Sequence, residues 1–507
     1  MFASLARIAL CLLAVSCGGS SAQLPDDETP SPLTQDRIDR IRTIVAGQHR
    51  RQGYPAMAAG VIVNGHLAWQ EGFGTLGEEA QPVTSQTVFR IGSITKVITS
   101  LAVLRLRDAG KLKLGDPAAH YLPELVDTLS QPGKPAITVR HLVTHSSGIP
   151  SLGNGQLDWT GGERDIGVGD ILDALRGVEP EFPPGKRVKY SNLGMALAGL
   201  VVARTSGQQY RRYIEERFLR PLGMQSTVWD REAVPPERLA PGHWRRSGGY
   251  EPAGPHWKLG TLESIGGLYS TVEDMARFAS FSLGHQVHVD GARQPVTVLR
   301  KESLQESQRP AFRKPGAMPQ GIGWVIENHP ELGRLVWHNG STMDYGAWLG
   351  LLPDRDVGFV VLLASGDMRD MSELAALGKS VLEIAAGSRP ARKTARPTTS
   401  PKTPKKVMDV VMGRVLWLFS SAEEKELREA FSPEFLEAKP PAELTGFFQA
   451  VGTESGECTT WKLTRDNGGG KFKARIRCKK EDIDADVTVR VTAPYLIDGL
   501  LIRPVAP

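Results

Sequence analysis

At 507 residues the chain has room for more than one domain, and 40% hydrophobic against 23% charged residues is the balance of folded protein with a substantial core. The formal net charge of +5 is small for this length and gathers in one short stretch rather than in a patch interleaved with aromatics, so nucleic-acid binding is not indicated.

Residues 1–22 read as an export signal. Arg7 supplies the positive start, residues 8–15 form an apolar run too short to span a bilayer, and small residues follow. Two cleavage sites compete: Ala14-Val15-Ser16-Cys17 resembles a bacterial lipobox with a lipid anchor on Cys17, and Ser20-Ser21-Ala22 suits an ordinary signal peptidase. The Gly/Ser tether after Cys17 favours the lipobox. A periplasmic or membrane-anchored protein of a bacterial cell envelope is therefore expected. Beyond the signal only Cys458 and Cys478 remain, and an even pair in an exported chain is expected to be bridged.

Folded structure is expected from about Leu33, where Ile38, Ile41, Ile44 and Val45 share one helical face. Residues 58–63 and 66–70 flank Asn64-Gly65, a hairpin signal because both turn residues must take positive φ. A second hairpin joins 345–352 to 357–364 across Pro353-Asp354-Arg355-Asp356. Strands at both ends of 33–386, with helical and loop sequence between, predict an α+β domain whose antiparallel sheet joins sequence-distant segments. Residues 387–406 carry Arg389, Arg392, Lys393, Arg396, Lys402, Lys405 and Lys406 among Gly, Ser, Pro, Ala and Thr, and read as a solvated linker.

Residues 407–507 predict a second, small α+β domain. A helix over 407–419 is followed by a capping box at Ser421-x-x-Glu424 and by strands near Cys458, Phe472, Val487 and Leu496. A hairpin turning at Gly468 sets Cys458 opposite Cys478. In strict register it also sets Trp461 and Leu463 against Lys473 and Arg475, so a bulge or an offset bridge is expected.

The chemistry-bearing residues begin at Ser93-Ile94-Thr95-Lys96. The apolar helical pattern that follows places Ser93 at a helix start, with Lys96 three residues on along the same face. A desolvated amine can take the proton of an otherwise poor serine nucleophile, and a helix N-terminus favours developing negative charge. Alone, the pattern equally fits a capping serine and a surface lysine. Tyr190-Ser191-Asn192 adds a phenol able to carry a proton and a carboxamide able to hold an acyl substrate or the lysine. Trp337-His338-Asn339-Gly340-Ser341 ends an apolar stretch read as an edge strand, where Gly340 admits close approach and the Ser341 N–H can complete an oxyanion hole with that of Ser93.

In this order the three motifs resemble those of the class C β-lactamase family, which takes in penicillin-binding proteins, DD-peptidases, D-aminopeptidases and family VIII esterases. The stretches 141–148, 221–224, 266–271 and 274–278 also resemble it, so the likeness covers about 33–384 and not the C-terminal domain. The resemblance implies Ser93 as acylated nucleophile, Lys96 and Tyr190 as the proton-transfer pair, Asn192 as a substrate hydrogen bonder, and His338, Gly340 and Ser341 as the opposite wall. It implies a small-molecule acyl or peptide substrate and no cofactor.

Where family β-lactamases carry lysine-threonine-glycine, this chain has His338-Asn339-Gly340. A neutral imidazole is a weaker partner for a substrate carboxylate, so ester or peptide hydrolysis is favoured over efficient penicillin hydrolysis. The alternative is a penicillin-binding or sensing protein without turnover, its C-terminal domain the binding module. His141 and His145 stand four apart, but no Glu completes a metalloprotease pattern, and no metal site is expected.

Overall fold

The computed structural model describes residues 33–77, 81–129, 133, 135–155, 165–246, 249–254, 258–286, 297–312, 319–387, 402–468, 470–489 and 495–504. The expected export signal with Cys17, most of the expected linker and Gly469 of the expected turn lie outside them. The chain divides into two compact units, Met1–Arg389 and Pro390–Pro507. No helix among the described residues is long and apolar enough to cross a membrane.

Helix α1 (Gln35–Gln52) opens the first unit, with Thr34 accepting from the Arg37 N–H as its cap. Strands β1 (Ala56–Val63) and β2 (His66–Leu76) follow as a hairpin, with Asn64 and Gly65 at φ 52° and 75°. The seven-stranded sheet adds β3 (Gln81–Pro82), β4 (Val325–His329), β5 (Gly333–Ser341), β6 (Gly346–Leu352) and β7 (Val357–Leu363) in the order β3-β2-β1-β7-β6-β5-β4. The antiparallel pairing of β1 with β7, from Met57↔Leu363 to Val63↔Val357, joins segments about three hundred residues apart, as expected.

Side-chain alternation along β1 divides the core. Met57, Ala59, Val61 and Val63 pack with α1 and with α5 (Met368–Ala386). Ala58 and Ile62 point the other way, into a larger cluster built with α2 (Thr95–Asp108), α3 (Asn192–Ser206) and α4 (Val272–Ser282). Both faces are therefore covered, which is why β1, β6 and β7 are buried along their whole length and read as unbroken apolar runs.

In the second unit α6 (Lys405–Leu418), α7 (Glu424–Ala430) and α8 (Pro441–Ser455) precede a sheet of β8 (Cys458–Gly468), β9 (Lys471–Cys478), β10 (Ile483–Val489) and β11 (Ile497–Pro504) in sequential order. Phe472, Ala474 and Ile476 alternate inward and join Val411, Val415 and Phe448 in its core. Cys458 faces Cys478, and a disulfide joins them. Register shifts between Cys458 and Thr460 set Trp461 against Ile476 and Leu463 against Ala474, the bulge that the apolar pattern required. The capping box differs from expectation. Glu423 is the N-cap and Glu426 its partner, while the Ser421 hydroxyl donates to the Glu426 carboxylate from outside the helix.

Candidate active site

Ser93 lies in a single 3₁₀ turn, Gly92–Ile94, that runs directly into α2, so Lys96 starts the first full turn of an apolar helix. That placement buries the lysine, which is 1% exposed. Its Nζ donates to Ser93 Oγ at 2.8 Å and to the Ile265 carbonyl at 2.6 Å. Burial drives its pKa well below the ordinary lysine value, which favours the neutral amine.

Tyr190 precedes α3. The residue is 42% exposed, yet its hydroxyl end reaches the Ser93 side chain, and burial of that end raises the phenol pKa despite the Ser93 hydrogen bond. Lys96 Nζ sits 5.1 Å from the centroid of the Tyr190 ring. Lys96 and Tyr190 thus meet on the Ser93 hydroxyl.

The opposite wall is β5. This strand is not the sheet edge that the sequence suggested, because β4 lies outside it; β4, however, pairs only as far as Trp337, and on that side 338–341 has no strand partner among the described residues. Thr342 N–H donates to the Tyr345 carbonyl at 3.0 Å, so by antiparallel alternation the Ser341 N–H points away from β6, toward the side that β4 does not pair. Gly340 is required by space: a Cβ there would lie 2.0 Å from the Ile91 carbonyl oxygen and 2.9 Å from Ser93 N. Reciprocally, a Cβ on Gly92, whose φ is 49°, would lie 2.9 Å from Ser341 N. The N–H groups of Ser93 and Ser341 therefore share one small region beside Ser93 Oγ, the arrangement of an oxyanion hole.

His338 is 2% exposed, and burial foremost, with Lys96 opposing a second positive charge, lowers its pKa to about 4. Its Nδ1 donates to the Asn339 carbonyl at 2.6 Å, so the neutral ring presents Nε2 as an acceptor. Asn192 opens α3 with its N–H on Ser151 Oγ at 3.2 Å, and its side-chain carboxamide makes no hydrogen bond among the described residues. The bond that orients Lys96 comes from the Ile265 carbonyl instead.

Two members of the site were not legible as such. Ile265 acts through its carbonyl, which no side-chain motif reveals; its one signal was the Gly266-Gly267 that follows. His145, given a role above only as half of a metal pair although it falls in the family-like stretch 141–148, sits at φ 52° with its ring 4.4 Å from that of Tyr190. Its Nδ1 accepts from the Ser191 N–H at 3.2 Å, tying the Tyr190 segment to the loop before it. Burial, then Lys96 and His338, lower its pKa to about 3.

The two depressed imidazoles make stability pH-dependent with a fixed sign. Between the ordinary value near 6.5 and the folded values of about 4 and 3, the unfolded chain binds more protons. Their contribution is complete above pH 6.5 and is lost on acidification, each on the order of 3 kcal/mol. The melting temperature is expected to fall from pH 7 to pH 4, and to fall less steeply in His338→Gln. An equal slope in the variant would count against the buried neutral imidazole.

Fold and site together define a β-lactamase/transpeptidase-like protein, an antiparallel sheet and helices meeting at a Ser-x-x-Lys helix start. The chain belongs to the β-lactamase family of serine hydrolases: the family model described as Beta-lactamase matches residues 41–383. Protein flp of Staphylococcus aureus (strain MW2) is 26% identical over 334 residues, 65% of this chain and 64% of that protein. The chain thus spans just under two thirds of that relative's length. Putative beta-lactamase-like 1 of Homo sapiens is 30% identical over 347 residues, 66% of each chain. Among solved structures, an octameric penicillin-binding protein homologue from Pyrococcus abyssi superposes with a TM-score of 0.58 at 22% identity, over 90% of this chain and 91% of that one. D-alanine carboxypeptidase AmpC from Burkholderia cenocepacia gives 0.54 at 21% identity, over 68% and 98%. These two likenesses are of fold.

Proposed function

We propose that this chain hydrolyses carboxylic esters, or D-amino-acid peptides and amides, through an acyl-enzyme on Ser93. The observation that carries this reading is the 2.8 Å contact between a buried Lys96 amine and Ser93 Oγ. Lys96 takes the Ser93 proton as Oγ attacks the substrate carbonyl carbon. The tetrahedral oxyanion is held by the Ser93 and Ser341 N–H groups. Tyr190, on the same hydroxyl, passes the proton to the leaving oxygen or nitrogen as its bond to carbon breaks, and water then releases the acid and frees Ser93.

His338 bears on the substrate. A ring presenting an acceptor nitrogen at neutral pH offers a carboxylate no donor, which disfavours efficient turnover of penicillins and favours substrates that are neutral there. A D-alanine carboxypeptidase shares the fold, but a peptide ending in a free D-alanine carboxylate meets the same lack of a donor at His338, so D-amino-acid esters and amides are favoured over such peptides. We further propose that the protein works outside the cytoplasm, anchored at Cys17. The signal-like residues 1–22 and the Cys458–Cys478 disulfide support this.

The test is labelling with a fluorophosphonate probe and turnover of p-nitrophenyl butyrate, each with Ser93→Ala alongside. Both are expected in the wild type and neither in the variant. Labelling without turnover of esters or peptides would point to a sensing protein, and turnover surviving in Ser93→Ala would remove Ser93 as nucleophile.

A further inference from the structure

Six large apolar side chains stand exposed on the described part of the hydrolase unit, and five of them are tied to the site. Tyr190 belongs to it. Leu152, 52% exposed, follows Ser151, whose hydroxyl accepts from the Asn192 N–H. Met343, 51% exposed, lies two residues past Ser341 and donates its N–H to Ser341 Oγ at 3.2 Å. Met368, 79% exposed, begins α5 two residues after Gly366, whose carbonyl accepts from Ser341 Oγ and whose N–H donates to the Met343 carbonyl at 3.0 Å. Trp244 follows His243, whose N–H donates to the Asp344 carbonyl at 3.2 Å. The sixth, Val126, lies apart from these segments. Scattered exposed apolar residues need no explanation; five gathered on the segments that border one site do.

Met343 adds backbone strain. It takes φ 67°, a left-handed conformation disfavoured for a side chain of this size, and the Ser341 and Gly366 contacts hold it there with the side chain outward. Charge points the same way. Two cations on the flanking segments are engaged, Lys189 with Glu181 at 2.8 Å and Arg245 with the buried Asp370, and His338 is neutral.

We infer that the rim formed by Leu152, Tyr190, Met343 and their neighbours takes an extended apolar acyl group, so that the substrate is an ester or amide of a medium-length aliphatic or comparably apolar acid. This rests on the acyl-enzyme reading of Ser93 and names its substrate class. The acyl carbonyl lies between the two oxyanion N–H groups while its chain leaves over the rim. Each methylene withdrawn from water there adds binding, which a two-carbon acyl group cannot use.

The experiment is a p-nitrophenyl ester series from acetate to octanoate, below micelle-forming concentrations, on the full chain and on Leu152→Asn and Met343→Asn. Asparagine tolerates positive φ well, so the second variant keeps the turn. The expected result is kcat/KM rising about tenfold or more from acetate to octanoate, and the octanoate-to-acetate ratio falling about fivefold or more in each variant. A flat or falling series, or a ratio that neither variant moves, overturns the inference while acetate turnover and Ser93 labelling leave the acyl-enzyme reading standing. Octanoate turnover persisting in Ser93→Ala overturns both.

Discussion

Replacing Lys96 with Met is expected to lower kcat/KM for ester hydrolysis by about 10³-fold or more, the larger end of what a positioned base contributes. The side chain is buried, carries its Nζ on Ser93 Oγ and Ile265 O, and has a pKa pushed down by burial alone. A neutral amine there is the active form. In the wild type kcat/KM should therefore rise with pH through the Lys96 pKa, and in Lys96→Met that limb should vanish with the activity. Lys96→Arg should be nearly as inactive although it keeps a cation, because a guanidinium does not give up its proton in this range. Methionine removes the buried bond to the Ile265 carbonyl, so a melting curve on the Met variant checks that it is folded before its activity is read. A variant with more than a tenth of wild-type activity would show that the base lies elsewhere.

Gly340→Ala is expected to remove activity by about 10²-fold or more and to destabilise the fold, although it adds a single methyl group. That methyl would meet the Ile91 carbonyl oxygen at 2.0 Å and Ser93 N at 2.9 Å, and both are backbone atoms that no rotamer change can move aside. The strand must retreat from the Gly92–Ile94 turn, which carries the Ser341 N–H away from the Ser93 N–H. Overpacking of this kind costs about 1–3 kcal/mol, and losing one oxyanion donor accounts for a further 10²–10³ in rate. Because the effect acts through the oxyanion pair, kcat should fall far more than KM rises. Thermal melting and ester kinetics on the one variant check both parts. Unchanged kcat in a folded protein would dissociate β5 from the chemistry.

What was legible in the sequence was local. Asn64-Gly65 announced its hairpin because positive φ at two successive positions has few solutions, and β6 and β7 announced themselves as unbroken apolar runs because both faces of the sheet are covered. Ser93 and Lys96 could be placed on one face by helical spacing alone. What was not legible depends on distant pairing. That β4 covers β5 only as far as Trp337 is a matter of register, and it makes an inner strand serve as an edge for four residues. The Ile265 carbonyl reaches Lys96 across 169 positions of chain, and backbone oxygens leave no signature in residue types. His145 was visible as a histidine, but its function follows from a left-handed φ and a ring contact that only the fold supplies. The capping box at α7 slipped by two residues because Ser421 does bond Glu426, from outside the helix instead of from its cap.

The central claim is that a covalent acyl group passes through Ser93. Its most direct measurement is intact and peptide mass spectrometry of the protein quenched with acid during steady-state turnover of an activated ester. One acyl group per chain on the peptide containing Ser93, absent from Ser93→Ala and gone once substrate is exhausted, is the predicted result. Continued turnover with no adduct, or an adduct on another residue that decays at the catalytic rate, would contradict it.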